Sequence, residues 1–197
     1  MINKKNKSND LKNATDEDAN AINQDSNNNV SVEISIGNMK MEAQDYQGAI
    51  KDYTELINQD KYNADAYFNR GIANEKLKNY QSAIEDYTEA IKIDDKDVDA
   101  YINRGIIYYD LKNYQKAMDD YNTAIEYDSN NVKAYFNIAL VKEDTDDYHG
   151  AIECYDKVIE IDSNYTEAYI NRRLILDKLY DNKRMLKLLH NVLIALW

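Results

Sequence analysis

Asparagine recurs at Asn69, Asn103, Asn137 and Asn171, always at the same interval. An amide side chain offers two donors and an acceptor, the complement of a peptide group. Residues suited to reaction chemistry do not accompany it. His149 and His190 stand apart from any Cys or carboxylate pattern, so no zinc spacing exists. The stretch DKDVDA at 95–100 opens like a calcium loop. Ala100, however, stands where that loop requires Gly, and Ile106 stands where a Glu must close it. No Gly-rich phosphate loop occurs. Cys154 is the single cysteine, with no His beside it, and reads as an inert helix thiol. The acidic pairs Glu85–Asp86 and Asp119–Asp120 read as solvating residues on an outer helix face, since general acid/base work needs a cleft. The residue types therefore predict no catalytic group, no metal site and no cofactor.

Composition narrows the partners. A formal net charge of −12 argues against nucleic acid, whose binding starts with cations neutralising phosphates. The N-terminal MINKKNKSNDLKN has no apolar run behind its charges, so no secretory signal is expected. No stretch reaches the ~18 apolar residues of a membrane span. The expected compartment is cytoplasmic, with no membrane partner. The absence of Pro and the presence of only five Gly in 197 residues disfavour an all-β fold and favour helices.

The elements that position the Asn residues follow from the repeat. AYFNRG at 66–71 returns as AYINRG at 100–105, AYFNIA at 134–139 and AYINRR at 168–173. Behind each of the first two comes a Leu, then KNY, then Ala83, Tyr87 and Ala90, or Ala117, Tyr121 and Ala124. Spacings of three and four mark amphipathic helices. Each period thus predicts two helices of three to four turns, A and B, joined near KNY. The predicted units run over about 30–63, 64–97, 98–131 and 132–165, with a degenerate fifth over 166–197. Residues 1–29 are polar, and are read as a disordered or loosely ordered tail.

A period of about 34 residues with this pattern resembles the tetratricopeptide repeat family. Tyr opens both helices, a small residue follows four positions after the first Tyr, and Ala-x-x-x-Tyr-x-x-Ala runs through helix B. The chain departs from the family near the end of helix B. Lys61, Asp95, Ser129 and Ser163 replace the usual Pro. The resemblance implies an all-α, right-handed superhelical solenoid of stacked antiparallel helix pairs, with Gly71, Gly105 and the Ala and Tyr columns as core. It implies a non-catalytic scaffold that holds an extended segment of a protein partner in a concave groove.

In the family the Asn column faces that groove, and in some members it bonds a peptide backbone. Here it comprises Asn69, Asn103, Asn137 and Asn171. Alternatively, these amides bond neighbouring helices and only solvate the inner surface. Two apolar rows flank them: Phe68, Ile102, Phe136 and Ile170 one residue before, and Ile72, Ile106, Leu140 and Leu174 three after. Either row could also be partly buried between helices. The clamp by which related co-chaperones hold acidic C-terminal tails is not reproduced. Asn38 and Asn69 could fill its Asn roles, but Ile34, Asp99 and Asn103 stand where cations belong. Starting one unit later leaves Lys133 alone, with Phe68 and Ile72 out of place. Arg70, Arg104 and Arg172 are expected to pair with acidic neighbours rather than with a ligand.

Two other readings fit the same pattern: a structural, self-associating spacer with an idle groove, and a regulatory subunit of an enzyme complex. The fifth unit favours contact with another chain. Arg173 replaces its small residue, and the Tyr and Ala columns lapse in its second helix, KRMLKLLHNVLIALW. Leu189, Leu193 and Trp197 belong to an apolar surface wider than one helix face. The expectation is that this C-terminal helix meets a second copy, as in a homo-oligomer, or a partner protein.

Overall fold

The computed structural model describes the backbone over residues 34–195 and side chains as far as residue 187. Everything described is helix or short connection. Helix α1 spans 34–42. It is followed by α2 (Tyr46–Gln59), α3 (Ala64–Lys76), α4 (Tyr80–Ile93), α5 (Val98–Asp110), α6 (Tyr114–Tyr127), α7 (Val132–Asp144), α8 (Tyr148–Ile161) and α9 (Thr166–Ala195). The fold is all-α, built of stacked helix pairs that recur with the period of the sequence. It divides into two compact units, one up to Ile93 and one from Asp94. The tail at 1–29 lies outside the described residues.

The turn inside each pair is set by local chemistry. Gln44, Lys78, Lys112 and Asp146 sit at φ between 60° and 62°, the left-handed region that closes a helix. The Lys78 N–H then donates to the Glu75 carbonyl at 2.8 Å, and the Asn79 N–H to the Asn74 carbonyl at 2.9 Å. The next residue caps helix B in three of the pairs. Asp45, Asn113 and Asp147 accept from the N–H of Gly48, Lys116 and Gly150. Between pairs, Asn63, Asp97 and Asn131 cap helix A in the same way. The calcium-like stretch at 95–100 is therefore a helix start, with Asp97 accepting from the Ala100 N–H at 3.0 Å.

The core is a column of tyrosines. Tyr53, Tyr87, Tyr121 and Tyr155 are fully buried. Each of the first three rings lies on a glycine of its own pair. A Cβ on Gly37, Gly71 or Gly105 would come 2.5, 2.8 or 2.6 Å from the ring, so only Gly permits this approach. Three of the four hydroxyls donate to a polar partner. Tyr53 donates to Asn38 at 2.7 Å, Tyr87 to Glu75 at 3.0 Å and Tyr155 to Glu143 at 3.2 Å. The Tyr121 hydroxyl is buried with no partner among the described residues. Tyr109 stands one period after Glu75 and one period before Glu143, so the carboxylate that accepts in those pairs is missing here. Burial pushes the ionisation of Tyr121 far upward. Tyr155→Phe should thus cost about 0.5–1.5 kcal/mol, whereas Tyr121→Phe removes an unsatisfied hydroxyl and leaves stability unchanged or raised. Urea unfolding of the two variants checks this, and equal losses would contradict the assignment.

The fifth unit departs from expectation. Its two helices are one, a 30-residue helix running unbroken through the position of the turn. Tyr180 occupies the position where Gln44, Lys78, Lys112 and Asp146 turn left-handed, a conformation costly for a bulky side chain. One period after Tyr148 stands Asn182, which cannot anchor a returning helix in the core as Tyr does. The first half of α9 packs on α8, with Ala168 and Ile175 buried among Ala151, Tyr155 and Val158. Residues 181–187 are exposed throughout.

Candidate functional site

Helices α5 and α7 are the first helices of adjacent pairs in the second unit, and they touch each other. The alanines Ala100 and Ala134 point into the core. Three residues further along, Asn103 and Asn137 are turned out of the core and half-buried. Among the described residues, neither amide has a hydrogen-bond partner. The rest of the column is occupied. Asn171 donates to the Tyr155 hydroxyl at 3.2 Å, and Asn69 donates to the Asp65 carbonyl of its own helix at 2.9 Å. The alternative in which these amides bond within the fold holds at Asn69 and Asn171. Two amides serve the fold, and two remain available.

The flanking rows also divide. Ile102 is a correction: it is 1% exposed, packed with Ala124 and Ala134, and offers no surface. Phe68 lies on the Tyr87 ring at 5.8 Å, and Phe136 lies between Tyr155 and Tyr165 at 5.6 and 5.1 Å. A large side chain in this row is drawn to the Tyr column beside it. Only Ile170 stays open, at 52%. In the second row Ile72, Ile106 and Leu140 are half-buried, and Leu174 is 61% exposed. In the second unit the surface thus combines free amides at Asn103 and Asn137 with apolar edges at Ile106 and Leu140. Lys133 and Asp99, one turn before the amides, approach to 4.0 Å and are both exposed. The backbone of α9 carries Leu189 and Leu193, but their side chains, like Trp197, lie outside the described residues.

The arginines pair within the fold, as expected. Arg70 grips Asp86 at 2.6 Å, Arg104 grips Asp120 at 2.7 Å, and Arg172 pairs with Asp156. The reading of Asp86 and Asp120 as solvating residues is overturned. They are 4% and 5% exposed, because each faces the Arg of its own pair across the helix interface. Asn74 adds a bond to Asp86 at 2.9 Å. The signal was present in the sequence. Where Ile138 replaces the Arg, Cys154 replaces the facing Asp, so the two columns change together. Ile138 lies with Ala117, Tyr121 and Val141, with Cys154 packed against them. Burial pushes the Cys154 thiol up, which makes it a poor nucleophile.

Among the described residues, no group of His, Cys, Asp and Glu is placed to hold a metal ion. No described helix is long and apolar enough to cross a membrane.

Solved structures share this architecture. A crystal structure of MamA protein matches over 80% of this chain and 86% of its own, at 24% identity and a TM-score of 0.71. MamA from Desulfovibrio magneticus matches over 83% and 93%, at 16% identity and the same score. The first tetratricopeptide domain of Spaghetti (RPAP3), bound to the HSP90 peptide SRMEEVD, matches over 59% of this chain and 93% of its own, at 26% identity and a TM-score of 0.57. No curated protein matches the sequence. The tetratricopeptide repeat model matches residues 64–97, 98–131 and 132–165, and a second TPR repeat model matches 37–78. Together these cover well over half of the sequence, and the chain belongs to the tetratricopeptide repeat family.

Proposed function

We propose that this protein is a non-catalytic scaffold that binds an extended segment of a partner protein on the α5/α7 face. The observation that carries this is the pair of unused amides at Asn103 and Asn137, beside Ile106 and Leu140. An amide can bond both the N–H and the carbonyl of a peptide in extended form, and the apolar edges suit its alternate side chains. The related domain of Spaghetti is bound to the HSP90 peptide SRMEEVD. The ligand class here differs, because Asp99 and Asn103 take positions where a clamp for acidic tails needs cations, and Asn38 is occupied by Tyr53.

Peptides selected from a displayed random library, rather than an acidic tail, are the appropriate probe. Two hydrogen bonds of about 0.5–1.5 kcal/mol each translate into a roughly 5- to 150-fold loss of affinity for Asn103→Ala/Asn137→Ala. Titration calorimetry measures this, with circular dichroism to confirm that the variant is folded. Unchanged affinity in a folded double variant removes the amides from the mechanism.

A further inference from the structure

The two ends of the repeat array expose surfaces that complement each other. Inside the array, the tenth residue of each unit's first helix is buried: Ala73, Ile107, Val141 and Ile175. At Ala73, Val141 and Ile175 the cover is the second helix of the preceding pair. Ala73 lies with Ala49 and Tyr53, Val141 with Ala117 and Tyr121, and Ile175 with Ala151 and Tyr155. On α1 the same position is Met39, 56% exposed, and Ile36 beside it is 40% exposed. On α9 the converse holds. One period beyond Ala151 and Ile152, the covering positions fall on Met185 and Leu186, which are 63% and 67% exposed. Among the described residues, one end has no cover, and the other offers one with nothing beneath it.

Charge matches the same ends. Residues 30–63 hold six Asp and Glu against three Lys, and residues 166–197 hold six Lys and Arg against three Asp and Glu. Every unit from residue 30 to 165 carries an acid excess, so the basic last unit is the exception in a chain of net charge −12. Its cations also argue against two copies of α9 pairing with each other, because Lys183, Arg184 and Lys187 would then meet their own kind. We propose that the second half of α9 docks on α1 and α2 of a second copy of this chain, continuing the repeat register from one molecule into the next. Such a contact joins two different surfaces and leaves both end surfaces open on the product, so it propagates head to tail beyond the dimer.

The test uses the full chain and three variants: Met39→Lys, Leu186→Glu, and Lys183→Glu/Lys187→Glu. The last alters only exposed charges, so its folding is not in question. Sedimentation velocity over a dilution series should show the parent mass rising past the dimer with concentration and falling as salt is raised. Each variant alone should shift association to at least about tenfold higher concentration. Mixing Met39→Lys with Leu186→Glu should give a species that stops at the dimer, since one intact α1 end meets one intact α9 end. Full self-association of Met39→Lys alone would overturn the proposal in favour of α9 pairing with itself. A parent that stays monomeric at tens of micromolar overturns it outright, including the case in which residues 1–29 of the same chain cover α1.

Discussion

Asp120→Ala lowers the unfolding free energy by about 3–5 kcal/mol in the expected result, a large share of the stability of a domain this size. The loss does not measure the worth of the ion pair. It comes from leaving the Arg104 guanidinium buried without the carboxylate that it grips through two nitrogens, at 2.9 and 2.7 Å. The chain itself supplies the control. The next pair carries Ile138 and Cys154 at these two positions, and that apolar combination packs in the core. Arg104→Ile/Asp120→Cys should therefore recover most of the loss, because both desolvated charges leave together. Urea unfolding of parent, single and double variants forms a thermodynamic cycle. A double variant as unstable as Asp120→Ala would show that the pair is needed in its own right.

The repeat made the fold readable from sequence, while several consequences of neighbouring residues were not readable. The Ala, Gly and Tyr columns recur with helical spacing, so pairing, turn position and core all follow from the sequence pattern. The burial of Asp86 and Asp120 was missed because an acidic residue beside another acid looks solvated when one helix is considered alone. Only the facing Arg, on the other helix of the pair, explains its position. The fused α9 was missed for a related reason. The lapsed columns still predict a separate second helix, whereas Tyr180 stands where the other pairs turn left-handed and α9 runs on through it. In the candidate site, the Asn column was legible as a column. Which amides are free depended on chance partners, the Tyr155 hydroxyl for Asn171 and the Asp65 carbonyl for Asn69.

Tyr87→Ala should cost about 3–5 kcal/mol, the loss typical of a large aromatic removed from a packed core. The ring is fully buried, lies against Gly71 and packs on Phe68 at 5.8 Å. Gly71 has no side chain with which to refill the space, so the cavity between α3 and α4 cannot collapse easily. Tyr87→Phe keeps the ring and forfeits the bond to Glu75, a loss of about 0.5–1.5 kcal/mol. Chemical denaturation of both variants separates ring from hydroxyl. Similar losses for the two would mean that the hydroxyl, rather than the ring on glycine, holds this pair together.

The central claim is that the α5/α7 face holds a peptide through amides the fold does not use. It is tested most directly by NMR of the side-chain amide groups during titration with a library-selected peptide. The account predicts that the Asn103 and Asn137 NH2 resonances shift and become protected from solvent exchange. The amide of Asn69, bonded within its own helix, should stay where it is. Saturating peptide that leaves the Asn103 and Asn137 resonances unmoved would contradict the account.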